Sequence, residues 1–182
     1  MGGPNRLMEL LALRNSVADP PENHFLVIDA ARDPSIFEFL HDNQDELTVQ
    51  SLYKGDAASE LAEVAPYLMA LAGAETAPAR RLLDEGWGKA RYILLCTTVA
   101  FDDLRLHLRK LTFAQMPDGA AVLFRFYDPR VTRIFLPTCD RTQLARFFGP
   151  VTRIITEAAD PSQALWFDFT GEMLETGIVD LD

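Results

Sequence analysis

His107 follows Asp103 by one helical turn in "FDDLRLHLR", a spacing in which a carboxylate can orient an imidazole as a general base. The same spacing also describes a histidine on a helix flank with a local acid beside it. His24 and His41 have no metal-ligand spacing to each other or to His107. Cys96 and Cys139 stand far apart with no Cys-x-x-Cys or Cys/His partner, so zinc is not expected. Cys96, inside "YILLCTT", reads as a small core residue. Phosphate loops, dinucleotide fingerprints and nucleophile elbows are missing; beyond Gly2-Gly3 at the start, the closest glycine pair is "GWG" at 86–88. Trp87 between those glycines is either an exposed binding aromatic or a core indole flanked by a helix stop and a turn. Asp102 and Asp103 open a helix, where the macrodipole favours negative charge. The enzyme reading thus narrows to a small hydrolase using His107 and a carboxylate, and a purely structural subunit of a larger assembly is the other alternative to a binding module. No metal and no cofactor is expected.

The densest set of charges is in "VLFRFYDPR", residues 122–130. Read as a strand, its alternation puts Phe124 and Phe126 on one face and Arg125 and Tyr127 on the other. Asp128 caps the next helix, Pro129 sets its first turn, and Arg130 lies within reach of neighbouring carboxylates. A half-buried Arg125 must find acceptors, because an unpaired buried charge is costly.

These residues belong to a chain of 182 residues, long enough for one domain with a full core. The net charge of −10 argues against nucleic acid as a partner, since phosphate binding needs a basic face. The charge is uneven: −7 over residues 1–99, +4 over 100–153, and −7 over 154–182, which holds no Lys or Arg. The basic island either receives an acidic partner segment or pairs internally with its acidic flanks. No stretch approaches the roughly 18 apolar residues of a membrane span. The opening residues lack a secretory pattern, since Glu9 and Arg14 interrupt their apolar run. A cytoplasmic protein is the expectation.

Strands are expected at "HFLVIDA", "LTVQSLYKG", "PYLMAL", "ARYILLCTT", "AAVLFRFY", "VTRIITEA" and "ALWFDF". Helices are expected near the N-terminus and after Asp33, Thr76, Ala100, Asp128 and Asp140, with a short one before Pro66. The fold class is α/β or α+β, a single domain with a mixed β-sheet flanked by helices. It divides into an N-terminal helix and extension (1–22), a main domain (23–160), and an acidic C-terminal strand and tail (161–182).

The ordered pieces "VIDAA", "SLYKG", "APYLMAL", "GWG", "HLRKL", "PDG", "LFRFYDPR" and "LARFFGPV" resemble the type VI secretion effector chaperones. That family was first catalogued as a domain of unknown function, and its members are also called adaptors. The resemblance runs from about residue 25 to residue 157. It implies a non-enzymatic role: binding a cognate effector, often through its N-terminal part, and helping to load it onto the VgrG spike. It also implies a cytoplasmic location. Arg109, Arg125, Asp128, Pro129 and Arg130 are the motif residues, with Trp87 and Tyr127 as further candidates for partner contact. Apolar burial is expected to hold the partner, with the arginine island at the rim, so that charge selects the partner and speeds encounter.

Overall fold

The computed structural model describes residues 5–9, 11–12, 20–71, 76–115 and 119–181. "FLVID" offers no polar face, so it can be buried only if both sides of its strand are covered. β1 (Asn23–Asp29) accordingly lies inside a seven-stranded sheet. The order is β2 (Val49–Ser51), β3 (Pro66–Ala70), β1, β4 (Tyr92–Thr97), β7 (Val151–Glu157), β8 (Gln163–Phe169), β9 (Leu174–Asp180). Alternation along each strand supplies two cores. Leu26, Ile28, Met69, Leu94 and Ile155 face the helices Pro34–Asp42 and Ala77–Gly86, joined by Leu7 and Leu11. Phe25, Val27, Leu68, Ile93, Leu95 and Ile154 face the helices Phe101–Arg109 and Arg141–Phe148. Two helical layers therefore sandwich one sheet.

Every neighbouring pair in that sheet is antiparallel. The α/β alternation in the sequence is real, and the helical crossovers do join strands that run the same way. β1 leads through a helix to β2, and β3 through a helix to β4. In each case an oppositely directed strand lies between the two, so no parallel ladder forms. The chain is thus the α+β form of the expected class.

Local sequence accounts for most element ends. Asp33, Asp128 and Asp140 each cap a helix, accepting from the backbone N–H of Ser35, Arg130 and Gln143. Gln143 also returns a bond to the Asp140 N–H, completing a capping box. Thr76 occupies its N-cap position, but its hydroxyl makes no cap bond. Residues 5–9 and 11–12 are helical as expected; the loop expected after them, and most of the "PDG" turn, lie outside the described residues.

Two expected strands are much shorter: "LTVQSLYKG" contributes only Val49–Ser51, and the other lies at the corner. "AAVLFRFY" contributes only β6 (Ala121–Leu123), which pairs with β5 (Phe113–Gln115) in a separate hairpin. From Phe124 the chain leaves the ladder and turns into the Asp128 cap. Phe126 and its neighbour Tyr127 are then both buried in the same core, so the predicted alternation of faces fails here.

Candidate functional site

The turn at 124–128 delivers Arg125 to the end of β1. There its Nη2 donates to Oδ2 of Asp29, a carboxylate with no solvent exposure, while the arginine itself stays 42% exposed. Asp29 is on the same face of β1 as Phe25 and Val27, so a strand end places a buried acid where the turn supplies its cation. Burial raises the Asp29 carboxyl above the ordinary range, and the charge of Asp128 adds to this; the bond and charge of Arg125 oppose it and do not win. Asp29 Oδ1 and Arg125 Nε are both buried without a hydrogen-bond partner among the described residues. The pair is therefore only partly satisfied.

Asp128 is better served. Its Oδ1 accepts from the Arg130 backbone N–H at 2.9 Å and from Arg130 Nε at 3.0 Å, and its Oδ2 accepts from Nη2 at 2.6 Å. Burial pushes this carboxyl up, but the bonds from Arg130 and the charges of Arg130 and Arg32 outweigh it and hold it low. Beside the two acids stand the phenols of Tyr127 and Tyr53, and burial raises both, leaving two neutral hydroxyls. Thr132 closes the turn by donating to the Phe126 carbonyl. The corner is a network of two carboxylates, two guanidinium groups and two phenols that lock a turn onto the sheet.

Five of the seven sequence candidates, Arg125, Tyr127, Asp128, Pro129 and Arg130, meet there. Trp87 does not. It is half-buried against the opposite core, with its indole Nε1 donating to Pro161 O at 2.7 Å. The following turn is held by Glu157, which accepts from Gly88 N at 2.6 Å and Ala90 N at 3.0 Å. Arg109 is not in the corner either. It lines a groove of ≈ 550 Å³ between the Phe101–Arg109 helix, the β5–β6 hairpin and residues 52–57. Tyr53 lines the same groove, so its ring connects groove and corner.

The remaining chemical candidates are placed as follows. His107 Nε2 donates to Phe147 O at 2.9 Å, and its ring fills the space over Gly149, where an added Cβ would meet it at 2.3 Å. Burial lowers its pKa. The structure gives this ring a backbone partner in place of the expected Asp103. Sequence reading missed one grouping: Glu22, His24 and Cys96 bring ligand-type atoms within 4.8 Å of one another. His24 and Cys96 are cross-strand neighbours on β1 and β4, a register that linear spacing does not reveal. A carboxylate, an imidazole and a thiol are together the donor types of a thiophilic divalent ion. Thr152 Oγ1 already donates to Glu22 Oε1 at 2.5 Å.

The basic island is largely consumed inside the molecule. Arg125 pairs with Asp29, and Arg153 pairs with Asp168 while lying 4.4 Å over the Trp166 ring. Arg133 donates to Glu157 O, Arg141 to Gly171 O, and Arg105 to Ser51 O. Among the described residues, no helix is long and apolar enough to cross a membrane.

The family model described as a domain of unknown function (DUF4123) matches residues 24–146, and the chain belongs to that family. This is the family that the sequence motifs resemble, so the association with type VI secretion holds at the level of the family. No curated protein and no solved structure matches the chain.

Proposed function

We propose that this chain is a non-enzymatic adaptor that binds a cognate type VI secretion effector, through the effector's N-terminal part, and helps load it onto the VgrG spike. Its place of action is the cytoplasm, before export. Family membership carries the reading. The geometry supports it. The corner's Asp128 is committed to a helix cap and to Arg130, and Asp29 is sealed behind Arg125. His107, the base an enzyme would need, has its Nε2 on a backbone carbonyl and its ring packed on Gly149. A site for general acid–base work needs a titrating group within reach of substrate. These groups hold the fold instead.

The test is affinity purification of the tagged chain from its own host with type VI secretion active. The expected result is enrichment of one large toxin-bearing protein, with VgrG as a secondary partner. Capture of no secretion-linked protein would overturn the reading. So would a hydrolytic activity of the purified chain that disappears in His107→Ala.

A further inference from the structure

Two large apolar side chains flank the groove beside the corner and are mostly exposed: Leu106 at 57% and Phe113 at 56%. Leu106 is on the outer side of its helix, away from the buried Leu104 and Leu108. Phe113 stands opposite Leu123 across the β5–β6 ladder, and Leu123 is exposed as well. Among the described residues Phe113 is the one aromatic that is exposed rather than buried or half-buried, and a water-facing apolar cluster of this kind marks a contact surface. Its rim is basic. Lys54, Arg109 and Lys110 line the groove, and none has an ion pair among the described residues. The neighbouring Arg105 is pulled down by burial and then by the charge of Arg109, as expected where cations crowd. In a chain of net charge −10 this is a local inversion of sign.

We infer that this groove receives an acidic amphipathic helix of the effector, with apolar side chains seated on Leu106 and Phe113 and carboxylates facing Lys54, Arg109 and Lys110. The inference rests on the adaptor reading for the identity of the partner. The chemistry of the occupant comes from the groove: apolar centre for affinity, cationic rim for selection. Arg105 is not part of the rim, because both Nε and Nη2 are on Ser51 O.

The test uses the full chain and two labelled peptides of about 15 residues with leucines at i, i+3, i+4 and i+7, one otherwise rich in Glu and the other in Lys. The Glu peptide should bind at least about tenfold tighter than the Lys peptide, a difference of about 1.4 kcal/mol. Leu106→Glu with Phe113→Glu should abolish that binding. Lys54→Glu with Lys110→Glu should weaken the Glu peptide about tenfold and favour the Lys peptide. Raising salt to physiological strength should slow association while leaving the complex, since buried apolar contacts are not screened. Absence of Glu-peptide binding, equal binding of both peptides, or binding unchanged in the Leu106/Phe113 variant would overturn the inference. So would a dimer of the wild-type chain that dissociates in that variant, which would make a second copy the occupant. An effector captured equally by wild type and variant would overturn the groove while leaving the adaptor reading intact. Peptide binding without any captured effector would do the reverse.

Discussion

Replacing Asp128 by alanine separates the structural duty of the corner from a duty in recognition. The substitution removes the cap of the Pro129–Phe135 helix, which costs about 1 kcal/mol. It also removes the Asp128–Arg130 ion pair. The Asp128 side chain is 5% exposed but the arginine is 53% exposed, so the released cation can return to water and the pair is worth only about 0.5 kcal/mol. The sum is roughly 1.5–2 kcal/mol. For a domain of this size each kcal/mol shifts the melting temperature by about 2–4 °C, so a fall of about 3–8 °C is expected. Asp128→Asn keeps an oxygen for the Arg130 N–H and should recover the cap, leaving a fall of about 1–2 °C. Arg130→Ala should behave like the asparagine variant.

Thermal unfolding followed by circular dichroism at neutral pH gives the ranking. The pH dependence gives a second check. Asp128 titrates below its ordinary 3.8 in the fold, so its contribution is present above that value and is lost as pH falls through the lowered one. The gap between wild type and Asp128→Ala should therefore close in acid. An alanine variant that melts with wild type at neutral pH but fails to hold its partner would refute this reasoning and make the corner a recognition site.

Asp29 titrates in the opposite sense: its raised value means that the fold holds the proton more tightly than the unfolded chain does, a benefit complete below 3.8 and lost as pH rises through the raised value. Asp29→Asn should melt no lower than wild type at pH 7 and lose its relative advantage below pH ~4; a clear fall at pH 7 would show that the Asp29–Arg125 pair is net stabilising. Deleting residues 171–182 should lower the melting temperature, because it strips β9 from β8 and uncovers Trp166, whose indole would sit 2.5 Å from a Cβ at Gly177. An unchanged melt would mean that the sheet does not need its last strand. Adding zinc should leave the melting temperature unchanged. Cys96 is fully buried and Glu22 is already held by Thr152, so a zinc ion would have to break an existing bond to enter; stoichiometric zinc with a higher melt would sink this.

What could be read from the sequence was whatever local physics decides. The Asp33, Asp128 and Asp140 caps, the Pro66 break and the doubly buried β1 each follow from a few adjacent residues. The partner of Arg125 could not be found this way. That arginine needs an acceptor, but the acceptor is 96 residues away at the end of β1, and many acids were equally eligible. The His24–Cys96 neighbourhood was hidden for the same reason, since antiparallel register is a long-range fact. The reading of "AAVLFRFY" failed for a different cause. Period-two alternation was carried up to a helix cap, yet a chain must leave the ladder to turn into a helix. Once it does, adjacent aromatics can enter one core, as Phe126 and Tyr127 do, with their rings at 5.3 Å.

That failure changes where recognition should be sought. If Arg125 and Tyr127 had pointed out from a strand, the motif itself would have been the obvious contact surface. Instead Tyr127 is buried, Asp29 is sealed, and Asp128 is occupied by its own helix. A partner pressing on such a corner would meet mainly the outer faces of Arg125 and Arg130, each already paired. The adjoining groove offers the reverse: cations with no ion pair among the described residues, and uncovered apolar side chains. Tyr53 is the link between the two, its phenol in the field of Asp29 and Arg125 and its ring beside Phe113 at 6.5 Å. A rigid corner therefore fixes one wall of the groove, which lowers the ordering cost of binding there. The groove's other wall, the β5–β6 hairpin, stands apart from the main sheet and can differ in side chains without disturbing either core.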